Sequence, residues 1–405
     1  MKQAITAILA MVLSATPLAA QKVQTTPEDA AATILSRHPL IDGHNDTPEQ
    51  LRDLFGNDFS KFDLNALPPE VVAKTHTDIP KLRAGKVGGQ YWSVWVDPAL
   101  PKHEAVTRTL EQIDTVKRMV TAYPETFRLA LTANDVEAAI KAKRIASLIG
   151  MEGGHSIGSS LAILREMYRS GARYMTITHF LTTDWADSAT DAPKHDGLAP
   201  FGVEVIAEMN RLGMIADISH VSEATMHDAL DVTKAPVLFT HSNARALLDH
   251  PRNVLDSVLK RLPQNGGVVM VTFVPVYLSK DVLDWERERA AQAARFKSAF
   301  VGDPEGEKAA LDGWIAANPS PKATIAQVAD HIDHIRKVAG IDHIGIGGDF
   351  GGVDTLPEGL GDVSTYPALF AELLRRGYTE VELAKIAQGN VLRVMRAVEA
   401  VASTN

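Results

Sequence analysis

Six histidine and carboxylate residues stand at or near the ends of short apolar runs, and their types suit metal chemistry. The runs read LIDGHND, SLIGMEGG, IADISH, VLFTHS and HIGIGGDF. The six residues are His44, Asp46, Glu152, His220, His241 and Asp349. Imidazoles and carboxylates at the carboxyl ends of successive strands are typical of a metal-dependent barrel enzyme.

The spacing of His44 and Asp46 suits one metal ion. The two residues are two positions apart at the end of a predicted strand, where side chains i and i+2 point to the same face. Glu152 precedes two glycines, which let the backbone come close to a site. A buried carboxylate needs a partner of opposite charge. A cation supplies one, and a carboxylate can bridge two cations; an arginine beneath the loop is the alternative partner.

His220 and His241 follow neighbouring predicted strands, so the fold should bring their imidazoles together. Asp349 ends the last predicted strand, beside the first in a closed barrel, and is either a metal ligand or a general acid–base group. Ser156 and Ser242 lack the strand–turn–helix setting of a serine nucleophile, which disfavours a serine hydrolase.

Several other histidines are predicted to lie away from any site. His331 and His334 share one helical face of VADHIDHIRK, which lacks the glutamate of the HExxH zinc motif, and we expect them on a helix surface. Six more are assigned to loops or the surface: His38, His76, His103, His195, His227 and His250.

The elements that must position these residues alternate along the chain. Eight strand-like runs occur at 39–44, 89–96, 146–152, 174–180, 214–220, 236–241, 267–273 and 343–349. Helical spacing occurs at 104–121, 160–170, 200–212, 222–232, 324–339 and 379–398. Eight strands alternating with helices predict an α/β fold, a (β/α)8 TIM barrel. An open doubly wound sheet is the alternative, but GHNDTP is not the glycine-rich phosphate loop expected after its first strand.

One segment breaks the alternation. Residues 278–322, between the seventh and eighth predicted strands, are charged, alanine-rich and helical in pattern. They predict a helical insertion on the barrel rim, which is either a lid over the site or a solvated decoration. Residues 21–405 are otherwise expected to form a single catalytic domain.

Composition narrows the class of protein. The 405 residues are 45% hydrophobic, enough for a large core, and contain no cysteine, so a metal site must use histidine and carboxylate. That favours zinc or another divalent ion. The net charge of −9 argues against nucleic acid as a partner. Residues 1–20 have the layout of a cleaved secretory signal, which predicts a periplasmic or secreted protein without a stable membrane anchor.

The motifs together resemble the membrane dipeptidase family, also called the renal dipeptidase family. The resemblance rests on IDGHNDTP, GMEGGHSI, SSLAILREMYRSGARYMTITH, ISHVS, FTHSNAR and GIGGDFGGV, and it runs over roughly residues 33–398. With the predicted signal, the chain looks like a bacterial secreted member. The resemblance implies a (β/α)8 barrel of the metal-dependent hydrolase type.

The resemblance also implies a site with two Zn2+ ions that share Glu152. The first ion would be held by His44, Asp46 and Glu152, and the second by Glu152, His220 and His241. Three further residues take family roles. His179 would contact the substrate near the scissile bond, Arg252 would bind its terminal carboxylate, and Asp349 would act as the acid–base group.

The implied reaction is zinc-dependent hydrolysis of dipeptides by a hydroxide that the two metals share. Acceptance of a D-residue at the carboxyl-terminal position is left open, and the family suggests a homodimer. Val274 stands where the family often has a tyrosine, and the insertion is longer than in the animal enzymes. Two alternatives remain: a related barrel amidohydrolase acting on N-acyl amino acids or lactams, and a metal- or peptide-binding protein without catalysis.

Overall fold

The computed structural model describes residues 26–403, so the predicted signal at 1–20 lies outside the described residues. The strands are β1 Leu40–Asn45, β2 Val87–Trp95, β3 Phe127–Leu129, β4 Ile145–Glu152, β5 Ala172–Thr176, β6 Ile215–Asp217, β7 Leu238–Phe239, β8 Val268–Val271 and β9 Ile344–Ile346. The helices are α1 Pro27–Arg37, α2 Thr47–Phe55, α3 Pro69–Thr75, α4 Ile79–Ala84, α5 Lys102–Ala122, α6 Ala133–Lys141, α7 Leu161–Arg169, α8 Pro200–Leu212, α9 Glu223–Val232, α10 Asp256–Leu259, α11 Leu262–Asn265, α12 Lys280–Ala299, α13 Pro304–Ala317, α14 Ile325–Val338, α15 Tyr366–Arg375, α16 Glu380–Ala384 and α17 Asn390–Ser403. A π-helical turn, Lys385–Gly389, joins α16 to α17.

Eight of the strands close into a parallel barrel. Their order around the ring is β2, β1, β9, β8, β7, β6, β5 and β4, and β2 pairs with β4 to complete it. The short strand β3 pairs with the start of β4 beside the ring. The predicted (β/α)8 barrel is confirmed, and each of the eight predicted runs overlaps one barrel strand. Strand β3 was not predicted, because it has three residues and buries only Phe127.

Several strands end earlier than the apolar runs suggested. Strand β6 ends at Asp217, and β7 ends at Phe239. Beyond these ends, hydrogen bonds to side chains replace the backbone pairing between strands. The Asp217 carboxylate accepts hydrogen bonds from the backbone N–H groups of Ser219, at 3.1 Å, and Thr240, at 2.9 Å. His220 and His241 therefore stand on loops just past the strands, where side chains are free to converge above the barrel.

The helical insertion between β8 and β9 is confirmed. It consists of α12 and α13, whose Trp285 and Trp314 rings lie 5.8 Å apart. Only the base of α12 is anchored, by the buried Val282 and Leu283, and α13 has no buried residue among those described. Its role as a lid stays a prediction. None of the helices within residues 26–403 combines the length and apolar character needed to cross a membrane.

The prediction of His331 on a helix surface is wrong, because it is buried, and His76 lies in a loop as predicted but is buried as well. His331 faces inward from α14, and its Nδ1 accepts a hydrogen bond from the Ala244 backbone N–H at 3.0 Å. His76 ends α3, and its Nδ1 accepts from the Gly351 N–H at 3.2 Å. Both imidazoles pair with loop N–H groups that the strand ladder leaves free, a long-range requirement that the local sequence pattern does not reveal.

A buried carboxylate joins the first and last barrel strands. Asp42 on β1 pairs with Ile346 on β9, the one register pair between these strands in the described chain. The Asp42 Oδ1 accepts from the N–H groups of His44, at 3.1 Å, and Gly348, at 3.0 Å, and its Oδ2 accepts from the Tyr366 hydroxyl. Burial raises the pKa of Asp42 to about 6. These bonds hold the seam of the barrel beneath His44.

Replacing Tyr366 by phenylalanine should destabilise the fold by about 1–3 kcal/mol, because it leaves a buried carboxylate oxygen without its hydroxyl donor. Chemical denaturation measures the change. Tyr91→Phe is the matched control, since the buried Tyr91 hydroxyl has no hydrogen-bond partner among residues 26–403. Equal unfolding midpoints for Tyr366→Phe and the control would contradict this account of the seam.

Candidate active site

Glu152 lies at the centre of the predicted site. Its Oε1 is 3.2 Å from the Nε2 of His220 and 3.3 Å from the Nε2 of His241, and its Oε2 is 3.3 Å from the Nε2 of His44. All four side chains are buried. One oxygen of the carboxylate therefore faces His220 and His241, and the other faces His44. A ligand shared by two ions would have the same arrangement.

The side of the site nearest His44 is rich in carboxylate. The His44 Nε2 is 3.5 Å from the Oδ1 of Asp46 and 3.8 Å from the Oδ1 of Asp349. The buried His44 Nε2 and Asp46 Oδ2 have no hydrogen-bond partner in the described chain. Buried polar atoms without partners are costly, and a cation between them would satisfy both.

The donor atoms form three overlapping groups, each with its ligand atoms within 4.8 Å of one another. The groups are His44–Glu152–His241, Glu152–His179–His220 and His44–Asp46–Asp349. All six strand-end residues identified from the sequence thus come together with His179. Nitrogen and carboxylate oxygen donors of this kind fit zinc and related divalent ions, and Glu152 belongs to two of the groups.

Burial and neighbouring charged groups determine the protonation of the histidines in the site. Burial lowers the pKa of both His220 and His241 well below the usual value, which keeps these imidazoles neutral, as metal ligands must be. Burial also acts to lower the pKa of His44, but Tyr174, Glu152 and Asp46 outweigh it and raise that pKa well above normal. Without a metal ion, the carboxylates thus favour a proton on His44.

The carboxyl groups respond in opposite directions. Burial opposes ionisation of Glu152, but the surrounding imidazoles, led by His44 and His179, hold its pKa well below the usual value. Burial raises the pKa of Asp349 well above normal, and repulsion from Asp46 and Glu152 adds to the effect. Carboxyl groups whose pKa values are shifted in opposite directions are typical of sites where one residue binds a ligand and another transfers protons.

His179 is held in one tautomer by Trp95. The Trp95 Nε1–H donates to the His179 Nδ1 at 3.2 Å, so the neutral imidazole carries its proton on Nε2. Burial lowers the pKa of His179 to about 4. Its Nε2 lies 3.7 Å from the Oε1 of Glu152. An N–H group pointing into the site suits hydrogen bonding to a substrate oxygen better than metal ligation.

Hydrogen bonds to the Nδ1 atoms orient His241 and His44. The His241 Nδ1 is 2.9 Å from the Thr240 hydroxyl, which itself donates to the Asp217 carboxylate at 2.7 Å. The Thr240 oxygen therefore accepts from the His241 Nδ1–H and leaves the Nε2 lone pair facing Glu152. The His44 Nδ1 is 3.0 Å from the Tyr174 hydroxyl. Partners of this kind fix ring orientation and raise the basicity of a metal ligand.

Two site residues have a backbone conformation that is unfavourable for residues other than glycine. His220 has φ +65° and Asp349 has φ +63°. Left-handed backbone costs of order 1–3 kcal/mol for such residues and is found mostly at functional sites. The conformation turns both side chains back over the barrel mouth.

Arg252 lies beside His241 and lines the same cavity as His220. It is fully buried, with its guanidinium carbon 5.2 Å from the centre of the Tyr277 ring. One of its Nη atoms donates to the His241 carbonyl at 3.3 Å, while its Nε has no partner within the described residues. The guanidinium therefore keeps donor capacity for an anionic group in the cavity.

The site opens into a cavity of about 300 Å3. Several lining residues were not predicted from the sequence: Glu49, Trp95, Phe180 and Tyr277. Glu49 follows Asp46 by three positions in the first turn of α2, a spacing that places both on one side, but no helix was predicted there. Burial and repulsion from Asp46 raise the pKa of Glu49 to about 9. Val274 also lines the cavity.

The barrel and its cluster of imidazole and carboxylate ligands define a metal-dependent hydrolase. The chain belongs to the membrane dipeptidase family, peptidase family M19, whose model matches residues 28–405. This confirms the resemblance seen in the motifs and identifies the chain as a member of a family of metallo-dipeptidases.

Individual relatives agree with this assignment. An uncharacterised dipeptidase of Schizosaccharomyces pombe is 43% identical over 97% of this chain and 89% of its own length. Dipeptidase 3 of Rattus norvegicus is 40% identical over 92% of this chain and 68% of its own length. The crystal structure of the probable dipeptidase PvdM from Pseudomonas aeruginosa superposes with a TM-score of 0.80 at 26% identity, covering 93% of this chain and 99% of that one.

Replacing Tyr174 by phenylalanine should weaken metal binding about 10- to 100-fold, because His44 loses the partner of its Nδ1. Competition with a chelator of known affinity measures the change. Tyr91→Phe is the control, since its ring lies 5.1 Å from that of Tyr174 but its hydroxyl has no partner in residues 26–403. Wild-type affinity in Tyr174→Phe would show that the hydroxyl does not support the site.

Proposed function

We propose that this protein hydrolyses dipeptides with two zinc ions that share Glu152. The observation that carries the proposal is the pair of Glu152 oxygens, one within 3.3 Å of His220 and His241 and the other 3.3 Å from His44. His44 and Asp46 would complete one ion's ligands, and His220 and His241 the other's. When bound, such a pair of ions lowers the pKa of a shared water and polarises the substrate carbonyl.

The other residues would perform the remaining steps of hydrolysis. Asp349 accepts a proton from the attacking water, whose oxygen bonds to the carbonyl carbon. The His179 Nε2–H donates to the carbonyl oxygen as negative charge develops on it. The C–N bond then breaks, and Asp349 returns its proton to the leaving amine.

Arg252 would select short substrates with a free terminal carboxylate. A guanidinium binds a carboxylate through charge-assisted hydrogen bonds, and the unpartnered Nε adds a donor to those that remain on the Nη atoms. A cavity of about 300 Å3 leaves little room beyond a dipeptide. One structural neighbour, a metallopeptidase from Rhodobacter sphaeroides, is described as bound to a phosphinate mimic of L-Ala-D-Ala. We therefore include a D-residue at the carboxyl-terminal position among the proposed substrates.

Export to the periplasm or medium stays a proposal that rests on the predicted signal at 1–20. The homodimer also stays a proposal, which rests on the family resemblance.

The second candidate function is hydrolysis of N-acyl amino acids, favoured by the same Arg252, which would bind their carboxylate equally well. A dipeptide differs from such a substrate by its free amino group, so the two functions can be separated by assay.

Elemental analysis and a substrate panel test the proposed function together. The purified protein should contain about two zinc ions per chain and cleave L-Ala-L-Ala or L-Ala-D-Ala faster than N-acetyl-L-alanine. Chelation should abolish cleavage, and added zinc should restore it. Preference for the N-acetyl substrate would support the amidohydrolase alternative, and metal binding without any turnover would support a binding protein. Protein without bound metal would contradict the site itself.

Replacing Arg252 by methionine should raise KM for dipeptides about 10- to 100-fold with a smaller change in kcat, because it removes a charged binding contact while keeping side-chain length. Steady-state kinetics measure both constants. Arg245→Met is the control, since Arg245 pairs with Asp249 at the surface and does not line the cavity. An unchanged KM in Arg252→Met would mean that the carboxylate is bound elsewhere.

A further inference from the structure

We propose that Glu49 binds a cationic nitrogen on the first residue of the substrate, either its α-ammonium group or a lysine or arginine side chain. This inference rests on the proposed dipeptidase function and adds a specificity residue to it. It follows from the position of Glu49 in the cavity, from its single long ion pair with Arg52 and from the charged groups that line the site.

Glu49 faces the substrate cavity rather than solvent. It lies in the first turn of α2, three residues after Asp46, and lines the same cavity as Asp46 and Glu152. Its side chain is 18% exposed. A glutamate in the first turn of a surface helix is ordinarily solvated, so its burial in a cavity beside other carboxylates requires a reason.

Helix capping does not supply that reason. A glutamate three residues after an N-cap can bond back to the N-cap backbone N–H in a capping box. Here the Asp46 N–H instead donates to the Phe350 carbonyl at 2.8 Å, and the Asp46 side chain makes no capping hydrogen bond. The Glu49 carboxylate is therefore available to a ligand.

The nearby cation neutralises Glu49 only in part. The Arg52 Nη2 lies 3.5 Å from the Glu49 Oε1, beyond the length of a strong charged hydrogen bond. The same guanidinium pairs more closely with Asp53, at 2.8 Å, and donates to the Trp95 carbonyl at 3.3 Å. A substrate cation would supply the missing partner of a carboxylate that Asp46 already repels.

Charge is distributed along the cavity in the direction that a dipeptide requires. Arg252 acts on His220 and His241, whereas Glu49 feels the charge of Asp46. Glu152 lines the same cavity, with one oxygen against His220 and His241 and the other against His44. A dipeptide with its carboxylate on Arg252 and its scissile bond above Glu152 would direct its first residue toward Glu49. The cavity lining thus offers a guanidinium for a carboxylate and the Glu49 carboxyl group for an ammonium, the two charged groups of a zwitterion.

The test compares Glu49→Gln with wild type on lysyl-alanine and norleucyl-alanine, which differ in the side-chain ammonium. Glu70→Gln is the matched control, because Glu70 is an exposed glutamate in the first turn of α3. Binding of the corresponding phosphinate isosteres is measured by calorimetry on the zinc-loaded enzyme, so the inference is tested even without turnover. Failure of every dipeptide to be cleaved would overturn the proposed function, whereas the calorimetry addresses Glu49 alone.

Each result has a defined meaning. If Glu49 binds the side chain, Glu49→Gln should lower kcat/KM and isostere affinity about tenfold or more for the lysyl compounds and little for the norleucyl ones. If it binds the α-ammonium, both pairs should fall equally, and analogues without the amino group should be unaffected. Changes below about threefold for all compounds, as expected for Glu70→Gln, would overturn the proposal.

Discussion

The burial of three carboxylates beside three imidazoles is the constraint on which the rest of the site depends. Glu152, Asp46 and Asp349 converge around His44 in a region with little access to water. Burying such charge is costly unless a cation or proton neutralises it. The pKa values of His44 and Asp349 are raised for the same reason, because a proton on either group reduces the net negative charge. The proposed pair of divalent ions would neutralise the same charge and supply the chemistry of hydrolysis.

Buried side-chain hydrogen bonds of the barrel hold the site residues in place. Its strands end where side-chain hydrogen bonds replace the ladder, and the Asp217 carboxylate links these ends to the Thr240 hydroxyl behind His241. Asp42 closes the seam beneath His44 with help from Tyr366. The unfavourable backbone of His220 and Asp349 is tolerated because this surrounding framework fixes it. Stability and site geometry thus share the same buried hydrogen bonds, so a change to one affects the other.

The barrel and the cluster of candidate metal ligands could be predicted because both depend on local patterns. Apolar runs mark the strands, and histidine or carboxylate residues after them mark the metal site. Glu49, Trp95 and the buried His331 could not be predicted with equal ease, because their roles depend on which distant loop or strand packs against them. The Trp95 hydrogen bond, which sets the tautomer of His179, joins residues 84 positions apart. Contacts of this kind require the folded chain.

The central claim is that Glu152 bridges two ions, and anomalous diffraction at the zinc absorption edge tests it most directly. Crystals of the metal-loaded protein should give two peaks about 3.5–4 Å apart, one on each side of the Glu152 carboxylate. One peak should lie beside His44 and Asp46, and the other beside His220 and His241. A single peak, or two peaks that do not share Glu152, would contradict the account.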